Sequence, residues 1–579
     1  MKKTLSLLLV LCMLFSLLIG CGGIASESTV ESAAEVTEES VVASTTETPD
    51  APATPEAAPE EVSVVETIEP EAPEAPEDYT LPLYEETPTI SFFYYLKSGF
   101  PSRSDGQTPF WGRVEENLNI KIEWTEPSQQ TATEKFNLMV ASGDMTDLIH
   151  ESSVESDSVC AYPGGYDKAV ADDIYVDLTE YIPEYCPWYD YYLKDADIYK
   201  NTVTDEGRIA TFMALYSETA KTNQGVAVNK NYFEATGMDV PNTVDEWYEL
   251  AKAMKAQGVQ YPLYADSTGS IFDGALSNAM GTSITSQFII DAKTDELIFS
   301  PTMEESREYI ELFRKWYSED LIDKDFLSSN FNIIKDSFSA GKVGTASVMG
   351  QEIDKYYDMF GVEITPMPLI VSEDCEAGQT FLANKYTTLV AGLGGVAVTT
   401  CCEELEATLK FCDWFYSESG MYICNYGWIE GETYEIIDGQ YRVIDEFFNG
   451  RDATYNISNK SLYTRGSGIG LTYPNFNFDL GSDTTKTASE GWTASTDYSN
   501  AKYYYLPTAI SLTSEESEDV SGKFNDLDTY VDGVILKWLV GETELNDNTW
   551  NEFVETCNSM ELDHIREVYD AAYRRYLAK

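Results

Sequence analysis

Two histidines, His150 and His564, are all that this 579-residue chain holds, and that scarcity restricts its chemistry. A Ser-His-Asp triad would have to be built on one of them. No Gly-x-Ser-x-Gly elbow accompanies either. A zinc site, which draws on His and Cys, has little to use. Eight cysteines follow Cys21: Cys160, Cys186, Cys375, Cys401, Cys402, Cys412, Cys424 and Cys557, with no Cys-x-x-Cys pair. An even count permits disulfides outside the cytosol. Cys401 and Cys402 are adjacent, however, and Cys412 falls on an apolar helix face, so bridges and free thiols both stay open. Gly392-Leu-Gly-Gly395 leads into the apolar run Val396 to Thr399 rather than into a helix, and so fails the dinucleotide fingerprint. There is no P-loop. The chain has 99 carboxylates, yet no local motif sets two of them at glycosidase spacing. Asp291-Ala-Lys-Thr-Asp295 alternates acids but lacks the Gly and the closing Glu of an EF-hand loop, and reads as a solvated turn. No catalytic residue, metal or cofactor is expected. What remains is binding, by groups that stack and groups that hydrogen-bond: 39 Tyr, 25 Phe and 10 Trp, with many polar side chains between them.

The elements that would position such groups are legible in patches. Thr89 to Leu96 reads as a buried first strand. Thr108-Pro109 opens a helix whose inner face is Trp111, Val114 and Leu118. Asn119 to Trp124 alternates as a strand, Thr133 to Ala141 forms a second helix, and Asp147 to His150 a short strand. This β-α-β-α-β rhythm predicts an α/β lobe with a partly parallel sheet. Further on, Thr243-x-x-Glu246 is a capping box ahead of Trp247, Leu250, Ala251 and Met254. Ser300-Pro301 opens a helix carrying Ile310, Phe313, Trp316 and Tyr317. Helical stripes recur at Leu405–Tyr416, at Leu527–Trp538 and at Leu562–Tyr576, all read as core.

The first residues are of another kind. Lys2 and Lys3 precede an apolar run from Leu5 to Ile19, the proportions of a secretory signal. From Gly22 to Pro88 there is no Lys or Arg, against 18 Asp and Glu and nine of the chain's 22 prolines. So little apolar surface cannot offset ordering entropy, so a disordered, extended stalk is expected over 21–87. Net charge is −62. The body beyond the stalk is acidic too, which excludes a phosphate-reading nucleic-acid binder. No second hydrophobic run is long enough to span a membrane. About 490 residues of body suffice for two or more lobes.

Leu18-Ile19-Gly20-Cys21 resembles the lipobox of bacterial lipoproteins. That implies cleavage after residue 20, lipid on Cys21, and a body tethered at the outer face of the cell membrane. Within the body, EKFNLMVASGDMTDLI (134–149), IYVDLTEYIPEYCP (174–187), GVAVNKNYFEATGMDVPNTVDEWYELAKAMKAQG (225–258), SEDLIDKDFL (318–327), FSAGKVGTAS (338–347), ICNYGWIEGETYEIIDGQ (423–440) and the segment 529–576 occur in order. Together they resemble the large lipoprotein branch of the family 1 extracellular solute-binding proteins, the receptor subunits of ABC importers related to maltose-binding protein. The resemblance implies a two-lobed, periplasmic-binding-protein-like α/β fold of type II with a hinge and a ligand cleft. It puts lobe one at 88–214 and 368–430 and lobe two at 215–367 and 431–579.

By the family's layout the cleft would be approached by Tyr95 and Lys97, by His150 and Glu151, by Tyr216 at the first crossing, and by Phe272 and Asp273. Trp428, Glu430 and Trp111 are further candidates. The loop GVQYPLYADSTGS departs from the family's calcium loop, with Asp266 as its one acid, so no calcium is expected there. The implied function is capture of a carbohydrate, an oligosaccharide above all, by a monomeric subunit that docks on ABC permease transmembrane subunits. A surface glycan-binding adhesin without transport is the alternative, and a secreted glycoside hydrolase a more distant one.

Overall fold

A computed structural model describes residues 74–96, 102–103, 108–151, 160–220, 222, 224–371, 380–386, 388–437, 440–444, 468–472, 482–493 and 499–579. The expected signal peptide, Cys21, most of the stalk and Lys97 lie outside the described residues.

The expected β-α-β-α-β unit forms. Thr89–Phe93 pairs in parallel with Lys121–Thr125 on one side and with Leu148–Glu151 on the other. Helices Pro109–Leu118 and Gln129–Ser142 make the connections. Val390–Val398 joins antiparallel to Leu148–Glu151 and to Thr211–Tyr216, and Gly470–Thr472 closes the far edge parallel to Thr211–Tyr216. The result is a six-stranded sheet. One face packs Phe92, Trp111, Phe212, Val396, Phe411 and Trp414 into a large core, and the other packs Phe93, Ile149 and Ala397 against Phe136 in a smaller one.

A second large core gathers Trp247, Phe272, Phe313, Trp316, Trp492 and Trp538. It is built on a three-stranded antiparallel sheet ordered Thr345–Met349, Gln224–Asn229, Ile364–Pro366. A four-stranded sheet ordered Leu382–Ala383, Tyr503–Tyr505, Phe288–Asp291, Leu297–Phe299 adds Phe288, Ile290, Leu297 and Phe299 to the same core. The capping box at Thr243 and Glu246 is present, and it starts helix Val244–Ala256 with Trp247, Leu250, Ala251 and Met254 buried. Pro301 lies in a short 3-10 turn, and the long helix starts after it, at Glu304–Ser318.

Sheet membership differs from the expected lobe boundaries in two places. Gly470–Thr472 belongs to the first lobe's sheet rather than to lobe two, because its parallel ladder is with Thr211–Tyr216. Leu382–Ala383 belongs to the second lobe's sheet, through Tyr503 and Tyr504. Short strands like these carry too few residues for periodicity to say which sheet they join.

The boundary expected at residue 87 also differs from the structure. Residues 78–84 are strapped onto helix Leu405–Trp414 rather than extended. Leu83 is buried, Tyr84 Oη donates to the Ala407 carbonyl (2.6 Å), and Tyr79 Oη donates to Asp413 Oδ2 (2.7 Å). Composition hid this, because Tyr79, Leu81, Leu83 and Tyr84 sit between prolines and acids typical of the stalk.

The chain passes between the cores three times, between Tyr216 and Gln224, between Pro366 and Val390, and between Thr472 and helix Asp483–Thr493, and parts of each passage lie outside the described residues. At the first lobe they lie side by side. Tyr216 N donates to Leu389 O and Ser217 N to Thr472 O. The C-terminal helix Leu562–Ala578 spans the same region. Tyr573 Oη donates to Asp295 in the second lobe and shares a hydrogen bond with Tyr386 Oη in a crossing. Arg575 meets both Glu516 and Asp205, the latter beside the first lobe's sheet. Of the acids of the turn 291–295, Asp291 is used locally, accepting from the Lys293 and Thr294 amides, while Asp295 serves the C-terminal helix. The seven cysteines among the described residues, Cys160, Cys186, Cys401, Cys402, Cys412, Cys424 and Cys557, are unbridged.

Candidate functional site

A cavity of about 490 Å³ opens where the crossings enter the second lobe. That size falls within the roughly 300–1,000 Å³ typical of small-ligand sites. Its walls come from four places: Ala220, Thr222, Gln224 and Gly225 on the first crossing, the segment Phe272 to Asn278, the second crossing at Leu369–Ile370 and Thr380–Asn384, and Tyr505. The polar groups on these walls are hydroxyls, carboxamides and one carboxylate, and the apolar groups include two aromatic rings. Such a mixture suits a ligand with hydroxyls around an apolar face.

The Phe272–Gly274 loop explains how the carboxylate gets there. Phe272, Asp273 and Gly274 all have positive φ, at 57°, 53° and 92°. For the two non-glycine residues this conformation is disfavoured by about 1–2 kcal/mol each. Phe272 is held in it by burial of its ring against Trp247 and Tyr264, at centroid distances of 4.6 and 5.4 Å. The turn leaves Asp273 exposed at the cavity wall. Tyr264 Oη and Gln224 Nε2 both donate to Asp273 Oδ2, each at 2.9 Å, and Gln224 Nε2 also reaches Ser347 Oγ at 2.8 Å. On the facing side, Tyr505 Oη donates to Asn278 Oδ1 at 2.5 Å.

Gly225 shapes the floor. A Cβ there would overlap the Trp492 indole, which is fully buried and donates through Nε1 to Met367 O at 2.8 Å. Gly225→Ala is expected to destabilise the fold by about 1–3 kcal/mol through overpacking and to weaken ligand binding together with it. Urea unfolding of the variant at the wild-type midpoint would refute this.

Of the described residues singled out from the sequence, the structure brings Phe272 and Asp273 alone to this cavity. Tyr95, His150 and Glu151 cluster elsewhere, at the ends of the first lobe's strands, and all three are buried. His150 stacks on Tyr94 at 4.1 Å with 2° between the rings, and a Cβ at Gly468 would overlap the imidazole. The Arg103 guanidinium lies 3.9 Å over the Tyr94 ring and pairs with Glu126 at 2.9 Å. Glu151 accepts from Tyr175 Oη. Burial pushes its carboxyl up to about 7, against the opposing hydrogen bonds from Tyr175, Tyr166 and the Tyr162 backbone.

Tyr216 sits half-buried at the hinge edge of the first sheet. Trp111 is core, 3% exposed and edge-on to Trp124, because its helix face turns wholly inward. Trp428 stacks on Trp414 at 6.0 Å, half-buried. Glu430 is exposed at the foot of the hairpin Tyr434–Ile437 and Gln440–Val443, away from the cavity walls. The sequence reading missed Gln224, Asn278, Trp492 and Tyr505. Gln224 had a usable signal, since it opens the strand that follows the first crossing.

Residues 102–422 match the family described as bacterial extracellular solute-binding protein. The chain belongs to that family. Lipoprotein LipO of Bacillus subtilis (strain 168) is 22% identical over 364 residues, 60% of this chain and 66% of that protein. The fructooligosaccharide ABC transporter substrate-binding protein FusA of Streptococcus pneumoniae is 22% identical over 271 residues, 44% of this chain and 48% of its own length. The chain thus spans two thirds or less of the curated relatives it matches. A crystal structure of an extracellular solute-binding protein from Bifidobacterium longum subsp. infantis superposes with a TM-score of 0.66 at 16% identity, covering 85% of this chain and 98% of that one. At that identity the likeness establishes the fold: two α/β lobes joined by chain crossings. The two cores and three crossings of the solute-binding protein described here are that architecture.

Proposed function

We propose that this solute-binding protein is the lipid-anchored receptor subunit of an ABC importer and that it captures an uncleaved oligosaccharide in the cavity beside the crossings. In this reading the first lobe comprises 78–216, 388–444 and 468–472, and the second lobe most of the rest. Lipid on Cys21 and the acidic stalk hold the protein at the outer face of the cell membrane, and the closed form docks on permease transmembrane subunits. No step of catalysis belongs to it. The observation that carries the reading is the cavity itself, which combines aromatic and aliphatic walls with Gln224, Asp273, Asn278 and Asn384 at the point where the lobes are hinged. Neutral carboxamides and a carboxylate are the partners that sugar hydroxyls need, and the rings offer faces for sugar C–H groups. Family membership and the fructooligosaccharide-binding role of the pneumococcal relative support it.

A thermal-shift screen of the full chain against oligosaccharides tests the proposal. A ligand that binds only the folded state stabilises by RT ln(1 + [L]/Kd), about 2.7 kcal/mol at a hundredfold excess over Kd. The expected result is a saturable rise with at least one oligosaccharide, recovered intact afterwards. Rises with short peptides alone would overturn the substrate class, and cleavage of the sugar would overturn the binding role.

A further inference from the structure

Asp273 is placed by a backbone that resists being there. Two consecutive non-glycine residues in the left-handed region, followed by Gly274, are a costly way to make a turn. The buried Phe272 ring fixes them, and the outcome is one carboxylate at the cavity wall. Only one of its oxygens is committed. Oδ2 receives Tyr264 and Gln224, while among the described residues no hydrogen bond reaches Oδ1. None of the described lining residues is Lys or Arg, and Lys221, which separates the lining residues Ala220 and Thr222, lies outside the described residues. The protein as a whole adds a field of the same sign, at a net −62.

Building on the carbohydrate reading above, we propose that Asp273 makes this cavity selective for uncharged sugars and that it rejects uronate oligomers. Oδ1 accepts from a ligand hydroxyl, a charge-assisted hydrogen bond of the stronger kind. A sugar carboxylate in the same position brings two like charges together in a partly dehydrated cleft, with no described cation between them. The discrimination is therefore local, set by one residue, and distinct from the general acidity of the surface, which salt screens within about 10 Å at 0.1 M.

Asp273→Asn separates the two effects. Asn tolerates positive φ better than most residues, so the turn can keep its shape. If the amide oxygen takes the Tyr264 and Gln224 donors, its NH2 group faces the ligand where Oδ1 stood. An acceptor becomes a donor.

The test is calorimetric titration of the full chain, wild type and Asp273→Asn, with neutral trisaccharides and with trigalacturonate, at 0.05 and 0.5 M salt. The expected wild-type result is binding of a neutral trisaccharide at least tenfold tighter than trigalacturonate at both salt concentrations. In the variant that ratio should shrink by about tenfold, through weaker neutral binding and stronger uronate binding. An unfolding midpoint close to wild type shows that the turn has held. Wild type binding trigalacturonate as well as or better than any neutral trisaccharide overturns the inference and leaves the carbohydrate reading standing. So does a variant whose ratio is unchanged, or discrimination that vanishes at 0.5 M salt. If neither class of sugar binds, the carbohydrate reading fails and this inference falls with it.

Discussion

Removing residues 74–87 is expected to destabilise the first lobe by about 3–5 kcal/mol, although composition assigns them to a stalk. The reason lies in Asp413, on a fully buried helix face. Its carboxylate is held by the amides of Tyr189 (2.7 Å) and Trp188 (3.2 Å) and by Tyr79 Oη (2.7 Å). Without the strap, a buried acid loses its side-chain donor, Leu83 leaves the core, and the Tyr84 hydrogen bond to Ala407 disappears. A buried carboxylate that loses a partner is expensive, because nothing replaces its hydration. Tyr79→Phe isolates the hydrogen bond and should cost about 1–3 kcal/mol by itself. Urea unfolding of 74–579 against 88–579 and against Tyr79→Phe measures both effects. Coincident midpoints for the two lengths would show that the strap contributes nothing.

Acidification from pH 7.5 to 5 is expected to stabilise the protein, against the usual behaviour of a carboxylate-rich chain. Two buried acids decide the sign. Burial raises Glu151 from its ordinary 4.5 to about 7, and burial raises Asp413 from 3.8 to about 6, in each case against hydrogen bonds that pull the other way. In both, the folded state holds its proton more tightly than the unfolded chain. Their contribution is complete below the unfolded values and is lost as pH rises through the folded ones. For Glu151 the window is 4.5 to about 7, and for Asp413 it is 3.8 to about 6. Each shift corresponds to about 3 kcal/mol at most. Acids whose carboxyls are held below their usual values, such as Glu246, with the Asn242 and Thr243 amides on it, work in the opposite direction, below about pH 4.5. Stability should therefore peak near pH 5. Glu151→Gln removes one titrating group while keeping an acceptor for a tyrosine hydroxyl, and should remove about two thirds of the gain between pH 7.5 and 5. A midpoint that falls steadily from pH 7.5 to 5 in the wild type would sink this assignment.

Much of the fold was legible because its signals are local. The capping box at Thr243 and Glu246 names a helix start through two hydrogen bonds within four residues. The rhythm from Thr89 to Glu151 gives a parallel unit because strand and helix periods alternate over short spans. What failed was long-range. Gly470–Thr472 and Leu382–Ala383 are too short to carry a pattern, and partners more than a hundred residues away chose their sheets. The strap failed similarly, since Tyr79 finds Asp413 across 334 positions.

The candidate site divides along the same line. The sequence by itself determined an apolar start of secretory-signal proportions, an acidic, proline-rich stretch after it, two α/β lobes, the absence of familiar catalytic motifs and the family to which the chain belongs. It also pointed to Phe272 and Asp273. Only the tertiary structure decided that Trp111 is core and that Glu151 is a buried acid held by tyrosines. It alone joined Asp273 to Gln224, Asn278 and Tyr505, residues separated by up to 281 positions. Residue type and spacing report what a side chain can do and which face of its own element it occupies. The direction in which it finally points is set by packing against distant chain, as the Phe272 ring, fixed in the second core, sets the direction of Asp273.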